Sequence, residues 1–278
     1  MLKFGLLGYP ASYSLSAVMF KAAFKATGLG GSYEIIPTPP ADFPATVEKL
    51  VIAGYGGVNI TTPLKSNAYE IADKRSAEAQ KLGAANLLLF NADGSLEAHN
   101  TDVVGISTAI HSRDWQINGG QALILGGGGA AKAAIIALVT TGVSAIYAAT
   151  RKTAAVKEWL RATGYLSKST EIIPLAWKER YKALAAGKNI LLINATTLGW
   201  HKEDEFPLDP ELAFNLQYVL DLNYPARNRW LHSLKDKVTD CQDGLRVLLY
   251  QGTAGFRIFT GVEAPAEEMW EALEEAHR

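Results

Sequence analysis

Polar and charged side chains that could bind a small molecule cluster at three places in the N-terminal part of the chain. The clusters are, in order, Ser14 and Ser16, then Asn59, Thr61 and Lys65, and finally Asn100, Thr101 and Asp102. Hydroxyls and amides hydrogen-bond the hydroxyl groups of a polyhydroxylated ring, and Lys65 adds a cation. Taken singly, Ser14, Ser16 and Asp102 are ordinary helix caps and Asn59 is an ordinary turn residue. The three clusters together indicate a binding site.

A glycine-rich segment has the pattern of a backbone that binds phosphate groups. It consists of Gly126, Gly127, Gly128, Gly129, Ala130 and Ala131, and it fits the pattern G-x-G-x-x-A. Gly126 permits a tight turn, Gly128 lets the backbone approach a diphosphate, and the small Ala131 lets the helix pack on the strand. An apolar strand precedes the segment and a helix follows it, so free helix N–H groups would face an anion. This context predicts a dinucleotide site; a turn that only connects strand to helix is the alternative.

The end of the next predicted strand indicates which dinucleotide. An NAD site usually places Asp or Glu there to hold the ribose 2′-hydroxyl. Here the strand ends in Thr150, Arg151 and Lys152, with no acid. The planar guanidinium of an arginine can hold a 2′-phosphate through two hydrogen bonds. The sequence therefore predicts NADP; the alternative is that Arg151 and Lys152 are solvated surface charges.

Composition excludes several other classes of function. Of the 278 residues, 48% are hydrophobic and 20% are charged, and the formal net charge is −1. This near-neutral balance gives no electrostatic case for binding nucleic acid or a membrane surface. A single cysteine, Cys241, allows no intramolecular disulfide and fits a reducing compartment. No apolar stretch reaches the roughly 18 residues of a membrane span and the N-terminus does not resemble a signal peptide, so we expect a cytoplasmic protein.

The elements that must position these residues alternate between strands and helices. Residues 14–27 predict a helix capped by Ser14, Pro63 is predicted to open another, and residues 84–99 predict a hairpin. A second run of strands and helices begins near Gln121, which predicts a parallel, doubly wound sheet. Each polar cluster follows a predicted strand, where α/β sheets place their ligands. We therefore expect an α/β protein with a cleft between closely apposed domains.

Several ordered motifs resemble those of one family. Residues 8–24 resemble an opening G-x-P-x-x-x-S-x-S pattern, and residues 57–65, GVNITTPLK, match G-x-N-[VI]-T-x-P-x-K. Residues 82–89 resemble a G-A-V-N-T segment, and residues 99–105 match N-T-D-x-x-G. The glycine loop, Thr150-Arg151, the Asn194 to Gly199 segment and the Asp243 to Gly252 segment follow in the same order. Nearly end to end, the chain resembles the shikimate dehydrogenase family.

The resemblance implies a reaction and a role for each candidate residue. The reaction is the reversible, NADP-dependent reduction of 3-dehydroshikimate to shikimate, in the chorismate pathway of aromatic amino acid biosynthesis, with no metal. Lys65 and Asp102 would be the catalytic pair. The substrate would be held by Ser14, Ser16, Asn59, Thr61, Asn86, Tyr224 and Gln251. The cofactor would be held by Gly126, Gly127, Gly128, Gly129, Ala130, Thr150, Arg151, Lys152, Asn194 and Thr196.

The resemblance also implies the domain organisation. Residues 1–101, completed by residues 240–278, would form an α/β substrate-binding and catalytic domain. Residues 102–239 would form a Rossmann-like, doubly wound NADP-binding domain, and the C-terminal helices would return to the first domain. The protein would be a monomer or a homodimer with a small-molecule substrate.

Five positions depart from the family pattern. They are Tyr13, where His is frequent, Ala17, where Pro is usual, Leu87 in place of Thr, Val103 in place of Gly, and Thr150 in place of Asn. The departures leave open a related ring acid, such as quinate or an amino-shikimate, as the substrate. A catalytically silent, NADP-binding sensor protein is an alternative from another class, although a sensor would not need both Lys65 and Asp102.

Overall fold

The computed structural model describes residues 1–164, 170–187, 190–225 and 227–278. Its strands are β1 (Leu2–Gly8), β2 (Gly31–Pro37), β3 (Gly57–Ile60), β4 (Lys74–Arg75), β5 (Leu87–Phe90), β6 (Leu96–His99), β7 (Gln121–Leu125), β8 (Ala145–Thr150), β9 (Glu171–Ala176), β10 (Ile190–Asn194), β11 (Leu216–Asp221) and β12 (Asp240–Gln242). Its α-helices are α1 (Ser16–Thr27), α2 (Phe43–Ile52), α3 (Lys65–Ile71), α4 (Ala77–Leu82), α5 (Asp102–His111), α6 (Gly129–Val139), α7 (Thr153–Thr163), α8 (Arg180–Ala186), α9 (Arg229–Leu234), α10 (Leu245–Thr260) and α11 (Ala266–His277). Short 3-10 helices cover Pro40–Asp42, Trp177–Glu179 and Pro210–Leu212.

The chain divides into two compact units. Unit 1 consists of Met1–Gly105 and Leu248–Arg278, and unit 2 consists of Ile106–Val247. Both divisions fall inside a helix, the first within α5 and the second within α10. The predicted boundaries, after residues 101 and 239, lie earlier in the chain than these divisions. Asp102, which the predicted boundary assigns to the second domain, therefore belongs to unit 1 together with Lys65.

Unit 1 contains a mixed sheet with the strand order β2-β1-β3-β5-β6-β4. Strand β1 runs parallel to β2 and β3, whereas β5 is antiparallel to both β3 and β6. In the register, Leu87 lies opposite Asn59 on one side and His99 on the other. The carboxyl ends of β1, β3 and β6 and the amino end of β5 therefore meet at one edge of the sheet.

Apolar side chains cover both faces of this sheet. On one face, Phe43 and Val47 of α2 and Leu64 before α3 pack in a buried cluster with residues of β1, β3, β5 and β6. The other cover includes α1 and the C-terminal helices: the ring of Phe256 lies 5.5 Å from that of Phe24. The C-terminal segment thus completes the core of unit 1, as the sequence predicts.

Unit 2 contains an all-parallel sheet with the strand order β12-β11-β10-β7-β8-β9. This is the doubly wound order: β7 and β10 lie at the centre, and successive strands are added outward on one side from β7 and on the other side from β10. Leu123 and Leu192 pack with α8 and α9 in one buried cluster, while α6 packs against β7 and β8. The predicted two-domain α/β fold is confirmed.

Two local predictions are wrong. Ser14 does not cap α1, because the helix starts at Ser16 with Leu15 as its N-cap and without a capping side chain. Pro63 does not open α3, because the Thr62–Pro63 peptide bond is cis and the helix begins only at Lys65. In both places the chain makes a further turn between the strand and the helix. The helix then starts at a polar residue, Ser16 in α1 and Lys65 in α3.

The helices of the described part of the chain include none with the length and apolar character of a membrane span.

Candidate active site and cofactor loop

The predicted catalytic pair lies together at the edge of the unit 1 sheet. The Lys65 ammonium and the Asp102 carboxylate form an ion pair with an Nζ–Oδ2 distance of 2.6 Å. The two side chains are 19% and 14% exposed, so the pair is partly shielded from water yet remains accessible. An ammonium has three N–H donors, and the one directed at Asp102 leaves others for a substrate oxygen. The arrangement can orient a proton donor.

Each member of the pair is the first residue of a helix. Lys65 begins α3 and Asp102 begins α5. A helix N-terminus carries a partial positive charge, which stabilises Asp102 but disfavours Lys65. The lysine therefore lies where helix electrostatics oppose it, and the neighbouring carboxylate compensates. A lysine at this unfavourable position is expected where its ammonium group takes part in binding or proton transfer.

Asn86 connects the pair to the rest of the site. Its Nδ2 donates to Oδ1 of Asp102 and to Oγ1 of Thr101, both at 2.9 Å. Its Oδ1 accepts from the backbone N–H of Thr101 at 2.8 Å, which fixes the orientation of the amide. The Gln251 Oε1 lies 3.4 Å from both Asn86 Nδ2 and Thr101 Oγ1. Both oxygens of Asp102 are thus engaged, and Gln251 from α10 joins the cluster.

Asn59 is held beside this cluster from the end of β3. Its Nδ2 donates to the backbone oxygen of Asn86 at 3.3 Å, and its Oδ1 accepts from the Tyr33 hydroxyl at 2.8 Å. The Tyr33 ring stacks on Phe20 with a centroid distance of 4.2 Å. Neither Tyr33 nor Thr101 is among the predicted substrate ligands. Only Thr101 has a sequence indication, its place next to Asp102.

The remaining predicted substrate ligands of unit 1 follow β1 and β3. The Ser14 hydroxyl donates to the Ser16 hydroxyl at 3.0 Å, and Ser16 is the first residue of α1. Thr61 follows β3, and a Cβ added to Gly8 would lie 2.2 Å from its methyl group. Glycine at position 8 therefore allows Thr61 to approach the end of β1. These residues lie at the same edge of the sheet as Lys65.

Leu87, one of the departures from the family pattern, lies in the core. Its side chain is completely buried, and a Cβ added to Gly255 would lie 3.4 Å from its Cδ1. Leu87 therefore packs against α10 beneath Asn59. This departure from the family pattern therefore lies in the core of unit 1.

The glycine loop of unit 2 has the shape of a diphosphate cradle. Gly126 has φ +127°, a conformation that favours glycine. A Cβ on Gly127 would lie 2.3 Å from Oγ1 of Thr150, whereas a Cβ on Gly128 would have nothing within 4 Å. Gly128 is the N-cap of α6 and Ala131 is buried. The loop therefore packs closely on β8 at Gly127 and leaves open space in front of the helix N-terminus at Gly128.

The residues at the end of β8 differ in exposure. Thr150 is buried, and its hydroxyl accepts from the backbone N–H of Lys152 at 3.1 Å. Arg151 and Lys152 are both exposed. Thr150 thus shapes the loop that presents the two cations, and their side chains are accessible to an anion. The two exposed cations suit the negative 2′-phosphate of NADP, and no acidic residue at the end of β8 would repel it.

Asn194 and Thr196 occupy the turn after β10. The Asn194 side chain is completely buried; it donates to Leu198 O at 3.2 Å and to Asp221 Oδ1 at 2.9 Å. Its oxygen accepts from the backbone N–H and the hydroxyl of Thr196 at 3.1 and 2.7 Å. Asn194 therefore shapes this turn through its side chain, and its predicted contact with the cofactor stays a prediction. The predicted contact of Thr196 with the cofactor likewise stays a prediction.

Tyr224, the predicted substrate ligand in unit 2, follows β11. Its ring makes an edge-to-face contact with Trp200, with a centroid distance of 5.3 Å.

Burial raises the pKa of the Asp221 carboxyl, which ends β11, to about 7. Asp221 is not a predicted site residue, because a single buried Asp at a strand end gives no pattern that can be recognised. Among the described residues, no group of three or more His, Cys, Asp or Glu side chains is placed to hold a metal ion.

Two family models match the chain. One, described as the shikimate dehydrogenase substrate binding domain, matches residues 6–88. The other, described as the shikimate 5'-dehydrogenase C-terminal domain, matches residues 244–274. The first covers Lys65 and Asn59, and the second covers Gln251. Both matches fall largely within unit 1.

Curated and solved relatives extend this similarity over both units. A shikimate dehydrogenase (NADP(+)) of Thermus thermophilus is 36% identical, with 99% of each chain covered. The corresponding protein of Moorella thermoacetica is 34% identical over 98% of this chain and 92% of its own. A crystal structure of shikimate 5-dehydrogenase from Thermus thermophilus, in complex with NADP(H) and shikimate, has a TM-score of 0.85 and 33% identity, covering 99% of this chain and 100% of that one. A site built around Lys65 and Asp102, a glycine loop of the dinucleotide-binding shape and this end-to-end similarity place the chain in the shikimate dehydrogenase family.

Proposed function

We propose that this protein catalyses the reversible, NADP-dependent reduction of 3-dehydroshikimate to shikimate. The observation that supports this most directly is the 2.6 Å contact between Lys65 and Asp102, which Asn86 joins at the edge of the unit 1 sheet. The related enzymes are named shikimate dehydrogenase (NADP(+)), and one relative of known structure holds both NADP(H) and shikimate. The proposal assigns to this chain the same substrate and cofactor.

Lys65 and Asp102 form the acid–base pair of the proposed reaction. NADPH, when bound, supplies the hydride that adds to the ketone carbon. Lys65 donates a proton to the oxygen that becomes the hydroxyl and recovers one from solvent; in the oxidation direction it accepts the proton. Asp102 holds the ammonium in place, and Asn86 holds Asp102. Positioned proton transfer of this kind typically contributes about 10²–10⁴ in rate.

The other polar residues at this edge bind the substrate. Ser14 and Ser16, at the start of α1, bind the carboxylate through their hydroxyls. The ring hydroxyls are bound by Asn59, Thr61, Asn86 and Gln251. The resemblance assigns Tyr224 to the neighbourhood of the carboxylate.

The glycine loop and the end of β8 bind the cofactor. The open space at Gly128, in front of the α6 N-terminus, would accommodate the diphosphate, with the backbone of Gly126, Gly127, Gly129 and Ala130 beside it. Arg151 and Lys152 bind the 2′-phosphate, and Thr150 holds the turn that presents them. Thr196 would contribute to the cofactor site.

The decisive experiment is a steady-state assay with shikimate, quinate and an amino-shikimate, each with NADP⁺ and with NAD⁺. Shikimate with NADP⁺ should give the highest kcat/KM. Quinate with NAD⁺ is the informative competitor, because a quinate dehydrogenase from Corynebacterium glutamicum in complex with NAD has a TM-score of 0.85 at 25% identity, covering 99% of each chain. Turnover of quinate with NAD⁺ alone would refute both the substrate and the cofactor.

The same assay separates the enzyme from a silent NADP-binding protein. Direct contact between Lys65 and Asp102 supports the enzyme, since a sensor has no need of an oriented proton donor. NADP⁺ binding without turnover of any of the three acids would favour the sensor. We further propose a cytoplasmic protein that is a monomer or a homodimer, which light scattering coupled to gel filtration distinguishes.

A further inference from the structure

A buried carboxylate lies at the end of the central strands of unit 2. Asp221 is the last residue of β11 and is completely buried. In the parallel register it lies beside Asn194, the last residue of β10. A buried carboxylate is costly unless hydrogen bonds compensate for the lost water. The contacts that compensate show what Asp221 holds in place.

Three N–H groups point at this carboxylate. Asn194 Nδ2 and the backbone N–H of Asn223 donate to Oδ1 at 2.9 and 3.1 Å. Asn228 Nδ2 donates to Oδ2 at 2.8 Å. All three partners are donors, so the ionised carboxylate satisfies the arrangement.

The same three asparagines fix the turns after β10 and β11. Asn194 binds Thr196 through its side-chain oxygen, and Asn223 Nδ2 donates to the backbone oxygens of Thr196 and Leu198 at 3.0 and 3.2 Å. Asn228 caps α9, where its Oδ1 accepts from the Leu231 N–H at 3.0 Å. Residues 194–198 and 221–228 are therefore joined through Asp221, except that residue 226 lies outside the described part of the chain.

We propose that Asp221 is a positioning residue: its ionised carboxylate holds these two turns in the arrangement that binds the cofactor, and its protonation loosens them. The inference rests on the proposed function, because the turns contain Thr196 and Tyr224, which that function assigns to the cofactor and the substrate. Asp221 itself is buried and acts through its asparagine partners.

Protonation would disrupt the network at a definable place. A protonated oxygen at Oδ2 would face the Asn228 N–H, so two donors would oppose each other. Asn228 cannot turn its amide round without losing the cap on Leu231. The groups facing Asp221 are the three asparagines and the charge of Asp243. Burial raises the pKa of Asp221 to about 7, with Asp243 adding to the rise and the asparagine bonds opposing it.

The test is the affinity of the intact protein for NADPH, measured by calorimetry at about pH 6 and about pH 8.5. For the wild type, Kd should rise about tenfold at the lower pH, following the ionised fraction of a group with a pKa near 7. Asp221→Asn should bind weakly at both values. Because the 2′-phosphate titrates equally with both proteins, the ratio of their Kd values isolates Asp221. A ratio that is unchanged with pH would overturn the proposal.

Two further variants complete the design. Asn228→Ser keeps a capping side chain for α9 but removes the donor to Oδ2, so it should weaken NADPH binding at about pH 8.5 even if Asp221→Asn does not fold. Asp240→Asn is the matched control: this carboxylate also accepts hydrogen bonds from three residues, Arg113, Trp115 and Cys241, but does not touch the two turns. It should retain the wild-type pH dependence of Kd. Binding is read without turnover, so the outcome is independent of the substrate assay.

Discussion

At the scale of single residues, the site combines a proton donor with partners that restrict its orientation. Lys65 touches Asp102, and Asp102 in turn accepts from Asn86. The ammonium is half-buried at the start of a helix, where the helix dipole disfavours it. If Lys65 is the proposed proton donor, replacing it should impair catalysis more than cofactor binding or folding.

Lys65→Ala should reduce kcat by about 10²–10⁴, the usual contribution of a positioned acid–base group. The Kd for NADPH should change little, because Lys65 lies in unit 1, whereas the glycine loop and Arg151 lie in unit 2. Steady-state kinetics and calorimetry provide the two measurements. Lys49→Ala, an exposed lysine of α2, is the control. Wild-type kcat in the Lys65 variant would remove this residue from the mechanism.

Arg151→Ala tests the proposed 2′-phosphate contact. It should weaken NADPH binding by about 1–3 kcal/mol, the scale of a lost charge-assisted hydrogen bond. NADH lacks the 2′-phosphate, so its affinity should hardly change. Arg161→Ala, an exposed arginine at the end of α7, controls for net charge. Equal losses for both dinucleotides would show that Arg151 does not distinguish them.

Which residues could be predicted depends on whether they belong to a local pattern. Lys65 and Asp102 belong to recognisable motifs that follow strands, and the structure brings them together. Tyr33 and Asp221 belong to no pattern, because each acts on an asparagine far away in the sequence. The internal role of Asn194 was missed for the same reason: a sequence does not show that all four hydrogen bonds of an amide are used internally.

At the scale of elements, two glycines of the loop are needed for different reasons, one for packing on β8 and one for open space, which the sequence motif does not distinguish. Gly127 meets the hydroxyl of Thr150, so glycine there serves the packing of the loop on β8. Gly128 has open space in front of it, so glycine there serves whatever enters that space. A connecting turn would need the first glycine but not the second.

Gly128→Ala should therefore leave the stability of the protein nearly unchanged and weaken NADPH binding. Its φ of −87° suits alanine, and the added methyl would occupy the space proposed for the diphosphate. Calorimetry with NADPH and thermal unfolding without it measure the two effects.

Gly127→Ala provides the contrast, since its methyl would collide with Thr150 and should lower the Tm. Gly30→Ala, another glycine whose Cβ would have nothing within 4 Å, is the neutral control. If Gly128→Ala binds NADPH as tightly as the wild type, the loop only connects β7 to α6 and does not bind the diphosphate.

The sequence predicted most elements because their patterns are local. Apolar runs and glycines located the central strands, and the doubly wound order of unit 2 followed from the alternation of strands and helices. Strands β4 and β12 were not predicted, because each is short and is defined by pairing with a neighbour. Ser14 and Pro63 were misassigned because capping preferences do not anticipate an extra turn between strand and helix.

At the scale of the whole molecule, Asp221 should make the free energy of unfolding depend on pH. Its pKa is about 7 in the folded protein and 3.8 ordinarily, so between these values the folded state holds a proton that the unfolded state releases. The stabilising contribution of Asp221 to the free energy of unfolding is therefore present in full below about pH 4 and is lost as the pH rises through about 7.

Between these limits, wild-type stability should fall relative to that of Asp221→Asn by at most about 1.4 kcal/mol per pH unit. Urea denaturation of both proteins across this range measures the difference. Stabilities that change in parallel would show that Asp221 titrates normally in the folded protein.

Because unit 1 consists of the two ends of the chain and unit 2 of its middle, the order of synthesis and the order of folding cannot coincide. Every residue of the Rossmann-like unit leaves the ribosome before Phe256, which packs on Phe24 in unit 1. The N-terminal segment of unit 1 therefore waits, with part of its core uncovered, until α10 has been synthesised, while unit 2 can already fold. Ribosomes stalled at successive lengths should yield a protease-resistant middle before a protease-resistant beginning, the reverse of the usual N-to-C order.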